Sequence, residues 1–295
     1  MSDEGTTGST LPRRQLGRFL RGLRNEARMG VRTAAVELEW SETKMWRIEN
    51  GLTSLRGLDV QAMCALYGAP AETTEALMAL ARETKAKGWW VSYGDVLPEG
   101  FDLYIGLEEA AEYLCGYWSE LVPGLLQTER YARILIQTDN PGVDPAEIER
   151  RVQVRMARQT LLFRRFRPLV LHIALNEAVL RRPVGGPEVM AEQLRRLVEL
   201  GQLPNVSVRV VPYAAGFHYG VLAGPFVKLD FPTNGNGQPL EPSIIYIDNF
   251  AGALFLEKPH EIRRYATAFT NIWDSVLDET ESMNCIATVA REMGQ

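Results

Sequence analysis

The chain has 295 residues, 46% of them hydrophobic and 23% charged, with three cysteines and a formal net charge of -5. These proportions are those of a soluble globular protein and exclude a fibrous or wholly disordered chain. At about 150 residues per domain, the length suggests two domains. The charge is uneven. Residues 11–56 carry ten Arg or Lys against five acids, so this stretch is +5, while residues 57–295 sum to -8. A basic head on an acidic body is the electrostatic footprint of polyanion binding, hidden in the overall sign.

Residues 1–12 are polar and rich in Gly, Ser and Thr, and are expected to form a disordered tail. Residues 13–87 read as five helices. Leu16, Phe19, Leu20, Leu23 and Ala27 form one face of the first. Ala34, Ala35 and Leu38 mark a short second. Ser41 caps a third, Glu42 to Asn50, which Gly51 ends in a left-handed turn. Leu58, Met63, Cys64 and Leu66 belong to a fourth that stops at Gly68 and Pro70. Ala71 to Lys87 is a fifth, with Leu77, Leu80 and Ala81 inward.

Residues 88–102 are aromatic and aperiodic and are expected to be a partly packed connector, because a flexible linker would not carry Trp89, Trp90, Tyr93 and Phe101. Residues 103–295 mix helices and strands. Helices are expected over 107–116, 127–138, 145–166, from Gly186-Pro187 to about Leu200, and over 258–277 and 279–293. Strands are expected over 169–175, 206–212, 224–230 and 243–249, with a loop over 234–242. The order is too mixed for a βαβ repeat. The fold class is therefore a mainly α N-terminal five-helix domain followed by a larger α+β C-terminal domain.

The strongest local signal is AAVELEWSETKMWRIENG at 34–51. Two short helices meet at a tight turn around Glu39–Ser41, with small Ala34 and Ala35 where they approach. That is helix-turn-helix geometry, in which the second helix enters the major groove of double-stranded DNA. Residues 16–67 resemble the lambda- and 434-repressor-like XRE family, through the S-x-[ST]-K-x-x-R-I-E-x-G pattern at Ser41–Gly51 and the L-R-x-L-R run at Leu20–Arg24. Two positions depart from that pattern: Glu39, where Gly is common in the turn, and Gly30, where a hydroxyl or Asn cap is usual. PGLLQTERYAR, RMARQTLL, NVSVRVVPYAAGFHYG and GPFVKLDF extend the resemblance to two-domain actinobacterial regulators described as WhiJ-like or antitoxin-like. The resemblance implies transcriptional control, often with a small BldB-like partner protein encoded nearby.

By family position, Glu42, Thr43 and Arg47 face base edges. Arg can bridge guanine O6 and N7, Glu can accept from cytosine N4, and Thr can meet a thymine methyl. A carboxylate near phosphates needs a donor, so Glu42 stands balanced between groove contact and a solvated helix face. Lys44 is assigned to phosphate. Trp46 either touches DNA or packs against the fourth helix, and packing is favoured. Arg32, Arg56 and Asn50 are candidate phosphate contacts, as are Arg13, Arg14 and Arg28. Arg24 and Glu49 are expected to form a structural ion pair between the first helix and the recognition helix, as in related repressors.

Seven arginines at 150–167 are read first as the cationic face of an amphipathic helix, and second as a surface for an acidic partner. Trp89, Trp90, Tyr93, Trp118, Tyr131, Phe217 and Tyr219 are read as core, with a small-molecule pocket as the alternative. His172, His218 and His260 are isolated, and no GxSxG, Walker or HExxH motif is present. The chain thus reads as a cytoplasmic, homodimeric DNA-binding regulator rather than an enzyme, with no cofactor or metal implied. No apolar run approaches the ~18 residues of a membrane span, and the start lacks the apolar core of a secretory signal. The three thiols, with no CxxC among them, are expected to be reduced.

Overall fold

A computed structural model describes residues 10–85, 88–98, 100–233 and 237–294. Most of the expected tail, the end of the expected fifth helix at 86–87 and the start of the expected 234–242 loop lie outside them. The chain divides into two compact units. One ends at Ser92 and also takes in Asp102–Ala110 and Pro232–Glu241; the other comprises Tyr93–Phe101, Ala111–Phe231 and Pro242–Gln295.

The first unit is helical: α1 (Thr10–Glu26), α2 (Val31–Glu37), α3 (Glu42–Glu49), α4 (Gly57–Tyr67) and α5 (Ala71–Glu83), joined by α6 (Phe101–Ala110) from its second residue on. Its core is built on Leu16, Leu20, Ala34, Ala35, Met45, Ile48, Met63, Cys64 and Leu77. In α1 the buried line runs Leu16, Leu20, Arg24, at four-residue steps. Phe19 is off that line and 58% exposed, against the expectation that it would face inward. Leu58, also assigned to the packed pattern, lies at the first turn of α4 and is exposed. α1 begins at Thr10, inside the stretch expected to be tail.

The first four helices end alike. Met29 N–H reaches Arg24 O and Arg28 N–H reaches Asn25 O. The same two-bond pattern recurs from Trp40 to Ala35 with Glu39 to Val36, from Leu52 to Arg47 with Gly51 to Ile48, and from Ala69 to Cys64 with Gly68 to Ala65. Each pattern needs one residue in the left-handed region, which closes the last carbonyls of the helix. Gly51 and Gly68 supply it without strain, but Arg28 (φ 53°) and Glu39 (φ 55°) adopt it too. Glu39 is the position where the family pattern favours Gly, and a side chain there costs roughly 1–2 kcal/mol.

The second unit is α+β. Its elements are β1 (Tyr113–Trp118), α7 (Glu129–Asp139), α8 (Pro145–Arg158), β2 (Val170–Asn176), α9 (Glu177–Arg181), α10 (Pro187–Leu200), β3 (Val206–Val211), α11 (Tyr219–Ala223), β4 (Phe226–Asp230), β5 (Ile244–Asn249), β6 (Gly252–Leu256), α12 (Pro259–Trp273) and α13 (Glu279–Met293). The strands form one sheet in the order β3-β2-β1-β4-β5-β6. β1, β2 and β3 are mutually parallel, and β4, β5 and β6 extend the sheet antiparallel.

Several elements differ from the sequence reading. The helix expected over 107–116 is two elements: α6 ends at Ala110, and Tyr113–Trp118 is the central strand β1. YLCGYW is buried on both faces along most of its length, so it lacks the alternation that marks a half-buried strand. The edge strand β6 was not expected; it closes a hairpin on β5 through a turn at Phe250 and Ala251, with Gly252 at φ 127°. The helix expected over 145–166 stops at Arg158 and continues as a 3-10 turn over Gln159–Phe163.

The PGLLQTERYAR run is explained by buried polar satisfaction. Thr128 caps α7, its hydroxyl accepting from Tyr131 N–H. Gln127 donates to Val122 O at 2.7 Å and accepts from Arg155 at 2.8 Å. Gln193, fully buried on α10, accepts from Thr128 N–H at 2.7 Å and donates to Leu126 O at 2.8 Å. A buried amide that loses such partners leaves backbone groups unpaired, at about 1–3 kcal/mol each.

The strained turn yields a prediction. Glu39→Gly should stabilise the first unit by roughly 0.5–1 kcal/mol, the relief of left-handed strain less the entropy of the unfolded glycine. It would be read as a higher urea midpoint at unchanged slope, and an unchanged midpoint would contradict the strain.

Candidate nucleic-acid interface

At eight residues, α3 is too short to persist alone and depends on what holds it. At its start, Ser41 Oγ accepts from Lys44 N–H at 3.1 Å. At its end, α1 lies close: a Cβ on Gly17 would meet Ile48 O at 2.5 Å, and one on Gly51 would meet Arg14 Cα at 2.7 Å. Glycine at both positions is therefore a condition of the helix crossing.

Across that crossing Arg24 and Glu49 form a buried, two-pronged pair. Arg24 Nε lies 2.6 Å from one Glu49 oxygen and a terminal nitrogen lies 2.8 Å from the other. The same guanidinium donates to Met29 O at 2.8 Å, which ties the end of α1 to the pair. Hydrogen bonding to Glu49 raises the Arg24 pKa. Burial, with the Glu49 charge adding to it, pushes the nearby Tyr67 phenol up to about 12. Arg21 adds hydrogen bonds to Glu49 O and Asn50 Oδ1.

With Met45, Ile48 and Glu49 buried, the opposite face of α3 is open. Glu42, Thr43, Trp46 and Arg47 are all exposed on it, spaced as one face of a helix. Trp46 is 57% exposed, more than a residue packed against α4 would keep. Arg32 Nε on α2 stands 3.9 Å from Glu42 Oε1, so the carboxylate at the tip has a cation beside it. Lys44 is half-buried, its ammonium 3.5 Å above the Trp40 ring. Asn50 closes the helix, donating to Trp46 O at 2.7 Å and accepting from Arg21. Arg56 is exposed at the N-cap of α4, its N–H donating to Asp59.

Arg28 is also exposed, but Arg13 and Arg14, the two candidate phosphate contacts on α1, are engaged within the unit. Arg13 Nε donates to Thr84 O at 3.1 Å, and burial lowers its pKa. Arg14, buried, lies 2.9 Å from the buried Glu241, which also pairs with Arg18 at 2.5 Å. Gln15 and Arg18 both donate to Leu240 O. Glu241 is 227 residues from Arg14 along the chain, and no local pattern could have connected them.

In the second unit, the arginines of α8 serve the fold. Arg150 forms a double hydrogen bond with Asp95, Arg151 bonds Asn140 and Glu147, and Arg158 is buried with its guanidinium over Phe101. The aromatics there do not share a lining: Tyr131 is core, its hydroxyl accepting from Val122 N–H, whereas Phe217 is 75% exposed. Cys64 and Cys115 are buried and Cys285 half-buried, all free thiols, and burial pushes Cys115 up to about 12. Among the described residues, no helix is long and apolar enough to cross a membrane, and no group of three His, Cys, Asp or Glu could hold a metal.

Two family models match the chain. Residues 15–77 match a helix-turn-helix domain. Residues 101–288 match a domain of unknown function, DUF5753, and over this larger part the chain belongs to that family. No curated protein matches the chain.

The geometry yields a prediction for the pair. Glu49→Ala leaves Arg24 buried without its carboxylate and should cost about 3–5 kcal/mol. Arg21→Ala, at a half-exposed pair, should cost under about 1 kcal/mol. Urea unfolding separates the two; equal losses would remove Arg24–Glu49 from its place in the fold.

Proposed function

We propose that this DUF5753-family protein is a sequence-specific transcriptional regulator of the lambda- and 434-repressor-like (XRE) type, acting in the cytoplasm as a homodimer on double-stranded DNA. The observation that carries the reading is the open face of α3. Glu42, Thr43, Trp46 and Arg47 stand exposed on a helix whose position is fixed from behind by a buried ion pair. Rigid placement of the reading side chains is what base discrimination requires, because each good pairing is worth only about 1–3 kcal/mol.

In this reading α3 enters the major groove. Arg47 pairs with a guanine edge, Thr43 meets a thymine methyl, and Glu42, steadied by Arg32, accepts from a cytosine amine. Trp46 lies along the groove wall. Arg32 and Arg56 neutralise phosphates, and Lys44 can swing from Trp40 to do the same. Asn50 holds the helix end and presents backbone toward the phosphates. Two subunits would place their α3 helices about one DNA turn apart, ~34 Å.

A second reading makes the C-terminal domain chiefly an interaction module for a small partner protein of the antitoxin-like kind. It is favoured by an exposed apolar run in that domain: Tyr213, Phe217, Tyr219, Val221 and Leu222. Apolar surface gathered in this way marks an association site more often than a bare face. Sedimentation of the purified chain separates the readings. A dimer that Phe217→Asp with Leu222→Asp turns to monomer supports self-association there. A monomer that binds a co-encoded small protein through the same residues supports the second.

For the DNA arm, Arg47→Ala with Lys44→Ala should abolish specific retardation of promoter DNA, while the melting temperature stays within the range of other surface changes. Undiminished specific binding by that folded variant would sink the proposal.

A further inference from the structure

In the second unit, one partly buried guanidinium, that of Arg209, forms no ion pair among the described residues. Arg209 and Ser207, on β3, point to the same sheet face as His172 on β2, because His172 registers with Ser207 and Ala174 with Arg209. Diagonal neighbours of this kind lie about 7–8 Å apart, within reach of long side chains. Trp273, at the end of α12, lies over both. Its ring stacks on His172 at 5.3 Å and 11°, and the Arg209 guanidinium carbon is 4.9 Å from its centre. The Tyr113 hydroxyl lies 3.0 Å from His172 Nδ1.

Two buried polar atoms in this cluster have no hydrogen-bond partner, Arg209 Nε and Ser207 Oγ. Among the described residues Arg209 forms no ion pair. The contrast within the chain is direct: Arg14 and Arg24, more deeply buried than Arg209, each face a buried carboxylate. The charge of Glu279 reaches His172, and among the described residues no ion pair joins Glu279 to Arg209. Lys228 and Asp230, on the same face, are paired with each other. A partly buried guanidinium left unpaired is costly. Beside an aromatic ring, it offers a planar fork for two oxygens of an anion.

We propose that Arg209, with His172 and Ser207, forms a binding site for the oxyanion of a small molecule, a carboxylate or a phosphate, beneath Trp273. Arg209 supplies the two-pronged contact. The site uses the tautomer in which the Tyr113 hydroxyl donates to His172 Nδ1, so that the Nε2 hydrogen of the neutral ring is a further donor. Burial and the Arg209 charge both lower the His172 pKa, which favours the neutral ring. Ser207 supplies a hydroxyl. The aromatic faces of Trp273 and His172 would border the organic part of the ligand. The site does not rest on the DNA-binding reading, and its test does not use DNA.

The test uses the full chain and the imidazole NMR signals, of which the sequence allows only three, with His172 assigned by His172→Gln. Sodium acetate and sodium phosphate are titrated separately in Tris buffer against sodium chloride at matched ionic strength. The expected result is a saturable shift of the His172 signal with acetate or phosphate in the millimolar range, absent with chloride. The anion that saturates identifies the class. Arg209→Gln should weaken binding at least about tenfold, and Arg209→Lys, which keeps the charge without the fork, should weaken it less. A shift that chloride reproduces, or one unchanged in folded Arg209→Gln, overturns the site. Should both variants fail to fold, the wild-type melting temperature decides. A rise with the saturating anion over matched chloride supports the site, and no rise overturns it.

Discussion

Glu49 carries two loads that pull in different directions. It sits at the end of a helix whose outer face must stay open, and its carboxylate is drawn inward to meet Arg24 on α1. A carboxylate at a helix C-terminus is opposed by the helix dipole. The guanidinium fork offsets this with two charge-assisted bonds, and Arg21 adds a cation at the same helix end. The pair can close only because Gly17 and Gly51 let the backbones of α1 and α3 approach to a distance no Cβ would permit. The orientation of α3, and so the direction in which Thr43 and Arg47 point, follows from that approach.

The basic stretch at the N-terminus is therefore not uniform. Some of its cations fasten the unit: Arg24 to Glu49, Arg14 to Glu241, Arg13 to Thr84. Others, Arg28, Arg32, Arg47 and Arg56, remain exposed. The positive field needed to draw a polyanion is carried by this second group. A charge count over residues 11–56 cannot separate the two, because it does not know which acids lie within reach. The clearest case is Glu241, which arrives from between β4 and β5 to join the helical unit.

In the second unit, polar side chains divide in a similar way. Gln127, Gln159 and Gln193 are spent on backbone groups of the turn before α7, which accounts for the distinctive run of sequence there. Arg155 and Arg158 close the same region, so the arginine-rich helix reads as internal support more than as a free cationic surface. Arg209 differs from these: it lies beside the Trp273 ring and forms no ion pair among the described residues.

The helix-turn-helix was legible because its determinants are local. Ser41 caps three residues ahead, Gly51 and Gly68 stop helices where their conformation is needed, and the three- and four-residue spacing of Leu16, Leu20, Met45 and Ile48 marks the inner faces. Most strands of the second unit were legible for the same reason. β1 was not, because a strand buried on both faces loses its alternation; Phe19 was misread, because period alone does not say where a face ends. What the sequence by itself determined are the properties that neighbouring residues decide: helix starts and stops, the tight turn, and the side chains offered on α3. What only the tertiary structure decided are the properties that depend on distant partners: which cations are neutralised, how α3 is aimed, and that Arg209 forms no ion pair among the described residues. Charge is compensated through space, and the sequence distance between Arg14 and Glu241 carries no trace of it.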